Sequence, residues 1–431
     1  MLRRLLQRLT SVDADDLGPA LTSALYFFCV LGGYYLLRPL REDMGLAGGV
    51  RNLPWLYSAN LAVMLALAPV FGWITTRLAR RVFVPWIYRF FLLTFVGFYL
   101  AWRWLPAGAD VTLGRAFYIW VSVFNMWAVS LFWSVMADRW GLDRSKRVFG
   151  FIAVGGTVGA ALGSWITSSA IAGGADRGLL ILAAAAVLEL VARLGRRLVG
   201  QAEAAAPQAS AGSGGVWSGI TAVARSRYLL GIAAYIFLFT VTSTFLYFTK
   251  AKIVAAAAAD SASRTVLFGH IDLWTNLATL ALQLGLARWL MARVGVGWTL
   301  LVLPVVTVLG FGALAAAPVM PVLVLFEMVR RAGNYALTRP ARETLFTVVP
   351  VDQKYKAKSF IDTFVYRGGD VVGALAEKAL AGLALGIAGV AGAVVPIAAA
   401  WGAVGLALGA AQRRRAANPK ETACPPIAET S

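Results

Sequence analysis

The chain is a succession of long apolar runs, and no other feature constrains its fold as tightly. Twelve stretches of mostly uncharged residues can be read, at about 19–38, 54–76, 83–105, 112–137, 148–171, 178–193, 228–249, 265–290, 296–316, 318–338, 359–384 and 388–411. A helix needs roughly 20 such residues to cross the hydrocarbon core of a bilayer. With 59% hydrophobic and only 14% charged residues among 431, the chain lacks the polar side chains to coat a soluble body of its size. Inside a bilayer each backbone amide must be satisfied by its own segment, so these runs are expected to be helices. An all-α polytopic membrane protein with about twelve transmembrane helices follows. The sixth run is the shortest and is rich in Ala.

The 40 Lys and Arg exceed the 21 Asp and Glu, for a net charge of +19. In a soluble protein that balance would suggest a nucleic-acid partner. In a membrane protein basic residues collect in cytoplasmic loops. Placing both termini inside puts Arg77, Arg80 and Arg81, then Arg139 to Arg147, Arg193 to Arg227, Arg339 to Lys358 and Arg413 to Lys420 on the cytoplasmic side. The outer segments hold far fewer: Arg38, Arg41, Arg51, Arg103, Arg115, Arg177, Lys250, Lys252 and Arg264. Orientation therefore explains most of the charge, nucleic acid is not an expected partner, and a bacterial inner membrane with both termini cytoplasmic is the expected location. The opening MLRRLLQRLTSVDADD is not a cleavable signal, because Asp13, Asp15 and Asp16 interrupt any hydrophobic region. Leu2, Leu5, Leu6 and Leu9 share one helical face there, as in a helix lying on a membrane surface.

The stretch AEAAAPQASAGSGG, 202–215, has the composition of a flexible linker and separates two sets of six runs. The expected organisation is a cytoplasmic segment 1–18, a six-helix bundle 19–193, a linker 194–227, a second bundle 228–411 and a cytoplasmic tail 412–431. The halves echo each other. GWITTRLARR, 72–81, has a counterpart in GLARWLMARVG, 285–295. Gly155, Gly156 and Gly159 have counterparts in Gly368, Gly369 and Gly373, each set following an acidic–basic loop. Two six-span halves joined by a cytoplasmic linker describe the major facilitator architecture. Gly155, Gly159 and Gly163 form a small-residue ridge that would let a neighbouring helix approach closely.

Charges within apolar runs cost roughly 2.5–3.5 kcal/mol each on insertion scales, so they need partners or a wet cavity. The tenth run carries Glu327, Arg330, Arg331, Asn334 and Thr338, of which 327, 331, 334 and 338 share one helix face. The eleventh has Asp362, Arg367, Asp370 and Glu377, the eighth His270, Asp272 and Asn276, the fourth Asn125 and the sixth Glu189. Glu327 can pair with Arg330 or Arg331, and Arg367 with Asp370, along their own helices. Arg38, Arg41, Arg89 and one of Arg330 and Arg331 lack a local acid. Arginines facing a cavity suit phosphate or carboxylate through the bidentate guanidinium.

Enzyme chemistry is not expected. His270 is the only histidine, Cys29 and Cys424 lie far apart, and no G-x-S-x-G, P-loop or C-x-x-C appears. Neither a metal site nor a cofactor is expected.

Several segments resemble the ATP/ADP translocase (nucleotide transport protein) family: YYLLRPLRED, 34–43; FNMWAVSLFWSVMADRW, 124–140; and SKRVFGFIAVGGTVGA, 145–160. RRAGNYALTRPARETLFTVV, 330–349, and KYKAKSFIDTFVYRGGD, 354–370, are similar to the free-living bacterial branch of that family. The resemblance spans about residues 20–411. It implies a twelve-span, major-facilitator-like carrier of nucleotides, with the family's important basic residues falling on Arg41, the preceding Arg38, and Arg367. Two carboxylates of the family's pattern are absent: Asn125 stands where one precedes the fourth-span Trp, and Thr242, Ser243 and Thr244 occupy the place of the seventh-span acid.

The sequence thus leads to a secondary active transporter that moves an anionic solute, a nucleotide or another phosphorylated metabolite, by alternating access. Arg38, Arg41, Arg330, Arg331, Asn334 and Arg367 are the expected substrate-binding residues. Glu327, Asp362, Asp370 and Asn125 are the expected gating or charge-pairing residues. A non-transporting scaffold or sensor with a carrier fold, and a flippase for a lipid-linked substrate, are the alternative readings.

Overall fold

The computed structural model describes residues 16–104, 110–140, 142–203, 216–285 and 295–417, which are helical apart from short turns. The helices are α1 (Leu17–Leu46), α2 (Leu53–Arg77), α3 (Arg80–Trp104), α4 (Asp110–Arg139), α5 (Leu142–Ala172), α6 (Arg177–Glu203), α7 (Val216–Arg225) and α8 (Arg227–Ala257). They continue with α9 (Ser261–Gly285), α10 (Val296–Ala316), α11 (Met320–Gly333), α12 (Arg339–Leu345), α13 (Val351–Phe360), α14 (Tyr366–Gly382) and α15 (Ile387–Ala417). The expected surface helix at the N-terminus, the middle of the expected linker, most of GLARWLMARVG and the end of the tail lie outside the described residues.

Among the described residues, nine helices are long and apolar enough to cross a membrane by length and composition. The sixth is longer than its apolar core suggests and runs to Glu203. Three expected spans fall short of that measure: α9, the α11–α12 stretch and the α13–α14 stretch. These are the ones that carry Asp272 and Asn276, then Glu327, Arg330 and Arg331, then Arg367, Asp370 and Glu377. Large apolar side chains stand outward on the others, Trp55, Trp73, Trp86, Trp104, Trp165 and Trp298 among them. Such exposure suits a lipid environment, where apolar surface carries no penalty.

Two helices are interrupted by π turns. Asn334–Thr338 separates α11 from α12, with the Arg339 amide donating to the Asn334 carbonyl five residues back. Pro340, at the start of α12, has no N–H to donate to the turn before it, and a widened turn accommodates that loss. Ile361–Val365 separates α13 from α14 in the same manner, with the Tyr366 amide reaching Ile361. No proline accounts for the second. The first π turn shifts the helical register, so 327, 331, 334 and 338 do not form the single regular stripe that a continuous α-helix would give.

The chain divides into two compact units. The first comprises Met1–Ala209 and Val254–Leu280, the second Ser210–Ile253 and Ala281–Ser431. The core of the first is aromatic: Phe27 stacks on Phe132 with ring centroids 4.1 Å apart, and Phe91, Phe95, Phe117 and Phe124 fill the space behind. The buried Tyr26 hydroxyl donates to that of Tyr88 at 2.9 Å, which donates to the Ala128 carbonyl at 3.2 Å. The Gly ridge of α5 lies on α1. A methyl group added at Gly155 would stand 2.7 Å from the Ala24 carbonyl oxygen, and one at Gly163 2.6 Å from that of Gly32; Gly159 abuts the Phe28 carbonyl. Contact residues recur every four positions on both helices, so only residues without side chains permit this approach.

In the second unit the apolar core surrounds Tyr235 and Trp401. The Tyr235 hydroxyl donates to the Leu300 carbonyl at 2.8 Å. Here α14 lies on α8 through Gly369, which abuts Thr240, and Gly373, where a methyl group would stand 2.9 Å from Thr244 Cβ.

Candidate functional site

Each unit carries its own polar cluster. In the first, the end of α1 presents Arg38, Arg41, Glu42 and Asp43. Arg38 is ion-paired through Nη1 with Asp272 of α9, and its Nε lies 4.0 Å from Glu42. Arg41 Nη1 is 2.7 Å from Glu42 Oε1, and its Nε donates to Ser122 Oγ at 2.9 Å and to the Tyr118 carbonyl at 3.2 Å. The Tyr118 ring lies 4.0 Å from the Arg41 guanidinium carbon. Asp43 accepts from Arg264 Nε at 2.7 Å and from the Ser261 hydroxyl. These contacts fasten α9 to α1 and account for the grouping of Val254–Leu280 with the first unit.

Two of the arginines expected to lack an acid therefore have one. Arg38 and Arg41 are neutralised by carboxylates the linear pattern did not connect to them: one on another helix, the other an adjacent residue. Arg89 is the third. Its Nε and Nη2 donate to Glu189 at 3.0 and 2.9 Å across α3 and α6. Asn125 is half-buried one turn beyond Ser122.

The second unit differs. Glu327 lies between two cations, 3.2 Å from Lys250 Nζ and 3.6 Å from Arg331 Nη1. Lys250 is buried at the end of α8, with its ammonium 5.4 Å from the centre of the Tyr247 ring. Lys252 pairs with Glu377. Both lysines read in sequence as loop residues. They belong instead to α8, which continues to Ala257.

Arg330 is 4% exposed. Its Nε donates to Thr307 Oγ1 at 3.1 Å. Its Nη2 donates to Thr242 Oγ1 at 3.1 Å and Ser243 Oγ at 2.9 Å, and reaches the Phe239 carbonyl at 3.4 Å. Among the described residues no carboxylate lies within ion-pair distance of it. The hydroxyls orient their lone pairs toward the guanidinium because their own protons go to carbonyls of their helices: Thr242 to Leu238, Ser243 to Phe239 and Thr307 to Leu303. The segment that departs from the translocase pattern, Thr242 and Ser243, thus forms the seat of Arg330.

Asn334 opens the first π turn and is half-buried. Thr338, closing that turn, is buried, and its hydroxyl has no hydrogen-bond partner among the described residues. Asp362 lies in the second π turn with its side chain exposed. Arg367 Nη1 is 3.1 Å from the buried Asp370, which also accepts from the Thr244 hydroxyl at 3.3 Å. Sequence reasoning missed Thr307, Lys250 and both π turns. Only Pro340 offered a signal for any of these.

The fold has known counterparts. The crystal structure of a point mutant of the nucleoside transporter NupG matches with a TM-score of 0.62 and 13% identity, over 92% of this chain and 99% of that one. A second crystal structure of nucleoside transporter NupG matches with a TM-score of 0.58 and 14% identity, over 93% and 98%. The likeness shows that the chain shares their fold. No protein-family model matches the sequence, and no curated protein does.

Proposed function

We propose that the chain is a secondary active transporter of the bacterial inner membrane, both termini cytoplasmic, whose cargo is a phosphorylated nucleoside or a similar organic anion. The transporter reading is supported by the full-length likeness to the nucleoside transporter NupG. The anionic cargo is supported by one observation above the rest: Arg330 sits buried in the second unit on three hydroxyls and the Phe239 carbonyl, and Lys250 and Arg331 share the carboxylate of Glu327. The cluster holds more positive than negative charge, and a cation out of water without a counter-ion is costly. An arriving phosphate would supply that counter-ion through charge-assisted hydrogen bonds.

In this reading Arg330 and Arg331 attract the anion, while Asn334 and the unpartnered Thr338 hydroxyl recognise its polar edges. Arg367 assists after release from Asp370. Glu327 gates the site by exchanging Lys250 and Arg331. Arg38 and Arg41 each have a carboxylate beside them, so they take part only by exchanging that partner. Asp362 and Asn125 are assigned to charge pairing and gating. Transport follows alternating access.

Uptake by proteoliposomes containing the full-length protein tests this. Labelled nucleoside phosphates should be taken up, with inorganic phosphate and neutral nucleosides as competitors of graded strength. Uptake of uncharged nucleosides alone, unaffected by phosphorylated competitors, would replace the anionic cargo with the neutral one named for the structural neighbours.

A further inference from the structure

Arg89 stands on the outer surface of the first unit, on an apolar face. On α3, Val82, Trp86, Phe90 and Leu93 all point outward, Trp86 being 62% and Leu93 65% exposed. Arg89 lies among them, one turn from Trp86 and one from Leu93. On the adjacent helix α6, Glu189, Arg193 and Arg197 follow at four-residue intervals, with Arg196 beside them and the exposed Leu190 at their edge. Glu189 holds Arg89 with two hydrogen bonds, and Arg193 Nε donates to the same carboxylate at 3.0 Å. Arg196 and Arg197 are exposed and make no ion pair among the described residues. The face therefore presents four arginines against a single carboxylate.

Depth gives the pattern a meaning. Along α6, at 1.5 Å per residue, Arg197 lies roughly 30 Å from Arg177, which is about the thickness of the hydrocarbon core. When Arg177 marks one boundary, Arg197 and Arg196 sit at the other and Glu189 lies about 12 Å inside it. A ladder of guanidinium groups thus descends from the headgroup level into the acyl region, flanked by Trp86 and Leu190.

We propose that this α3–α6 face binds an anionic phospholipid of the cytoplasmic leaflet. Arg196, Arg197 and Arg193 hold the headgroup phosphate, and the acyl chains lie along Trp86, Phe90 and Leu93. Glu189 positions Arg89 and Arg193 rather than touching the lipid. A free phosphate would satisfy the arginines but leave the apolar flank unused, which favours the lipid. The site is separate from the cation cluster of the second unit and does not depend on the nature of the cargo.

The test compares lipid retention by the full-length protein, using native mass spectrometry from micelles doped with phosphatidylglycerol or phosphatidylcholine. Phosphatidylglycerol should be retained preferentially, and each arginine removed should lower that preference about fivefold. Arg193→Gln with Arg197→Gln should therefore lose most of it. A charge-matched control, Arg51→Gln with Arg103→Gln, should keep it. Melting temperatures in phosphatidylcholine, the same for both variants, would establish that the loss is local. Absence of preference in the unaltered protein, equal loss in the control, or inorganic phosphate displacing the bound lipid would each overturn the proposal.

Discussion

The two units solve the burial of arginine differently. In the first, Arg38 and Arg41 lie against Asp272 and Glu42, so positive charge entering the fold is matched by negative charge. In the second, Arg330 is matched by hydroxyls of Thr242, Ser243 and Thr307, and the neighbouring Glu327 is divided between Lys250 and Arg331. The close helix contacts are alike in using glycine: Gly155, Gly159 and Gly163 bring α5 onto carbonyls of α1, and Gly369 and Gly373 bring α14 onto Thr240, Thr244 and the carbonyls of Phe237 and Val241, with Asp370 alongside. At the junction of α1 and α9 each guanidinium has a carboxylate beside it, whereas Arg330 has none within ion-pair distance among the described residues.

Substitutions should separate the two arrangements. The largest expected effect is on Arg38. Arg38→Met withdraws a cation from the buried Asp272, at a cost of roughly 3–5 kcal/mol, while the double variant with Asp272→Asn recovers much of it. Thermal unfolding in detergent measures both. Arg330→Met should cost far less stability, because the three hydroxyls keep their own carbonyl partners. Equal losses at the two arginines would break the comparison.

The next effect is at the close helix contacts. Gly159→Ala pushes a methyl group against the Phe28 carbonyl, which cannot yield without moving α1, and should destabilise by about 1–3 kcal/mol. Gly368→Ala meets nothing within 4 Å and should be neutral or gain roughly 0.5–1 kcal/mol from better helix propensity. Thr244→Val, which removes the hydroxyl from Asp370, should cost about 1 kcal/mol in unfolding measurements.

The smallest effect concerns Asp260, in the turn before α9. It accepts from the Ser263 amide at 2.8 Å. Hydrogen bonds from the side chain and backbone of Ser263 hold its carboxyl below the usual carboxylate range. With a depressed folded-state value, its contribution is complete above the ordinary carboxylate pKa and fades as pH falls through the lowered one. Asp260→Asn should lower stability slightly at neutral pH and flatten a small part of the acid limb of a stability–pH curve, the two proteins converging at low pH.

Much of the fold was legible because its cause is local. A run of twenty apolar residues in a bilayer has helix as its only open solution, and Gly155, Gly159 and Gly163 announced a close contact by spacing alone. The charge pairing was less legible because it depends on which helices are neighbours. Nothing in the order of residues links Arg38 to Asp272, or Arg89 to Glu189. Pairs along one helix, Glu327 with Arg331 and Arg367 with Asp370, were readable from their spacing. The seat of Arg330 was hidden for another reason: Thr242 and Ser243 read as a missing acid, and only packing turns their hydroxyls toward a guanidinium.

The most direct measurement is uptake of a labelled nucleoside phosphate by proteoliposomes containing the unaltered protein, Arg330→Met, or the paired Arg38→Met with Asp272→Asn. Loss of one or two charge-assisted hydrogen bonds, roughly 1.5–3 kcal/mol each, lowers affinity at least tenfold. Arg330→Met should fold and lose saturable uptake by that factor or more, while the paired variant retains more of it. Uptake unchanged in a folded Arg330→Met protein would contradict the claim that the second unit holds the anion.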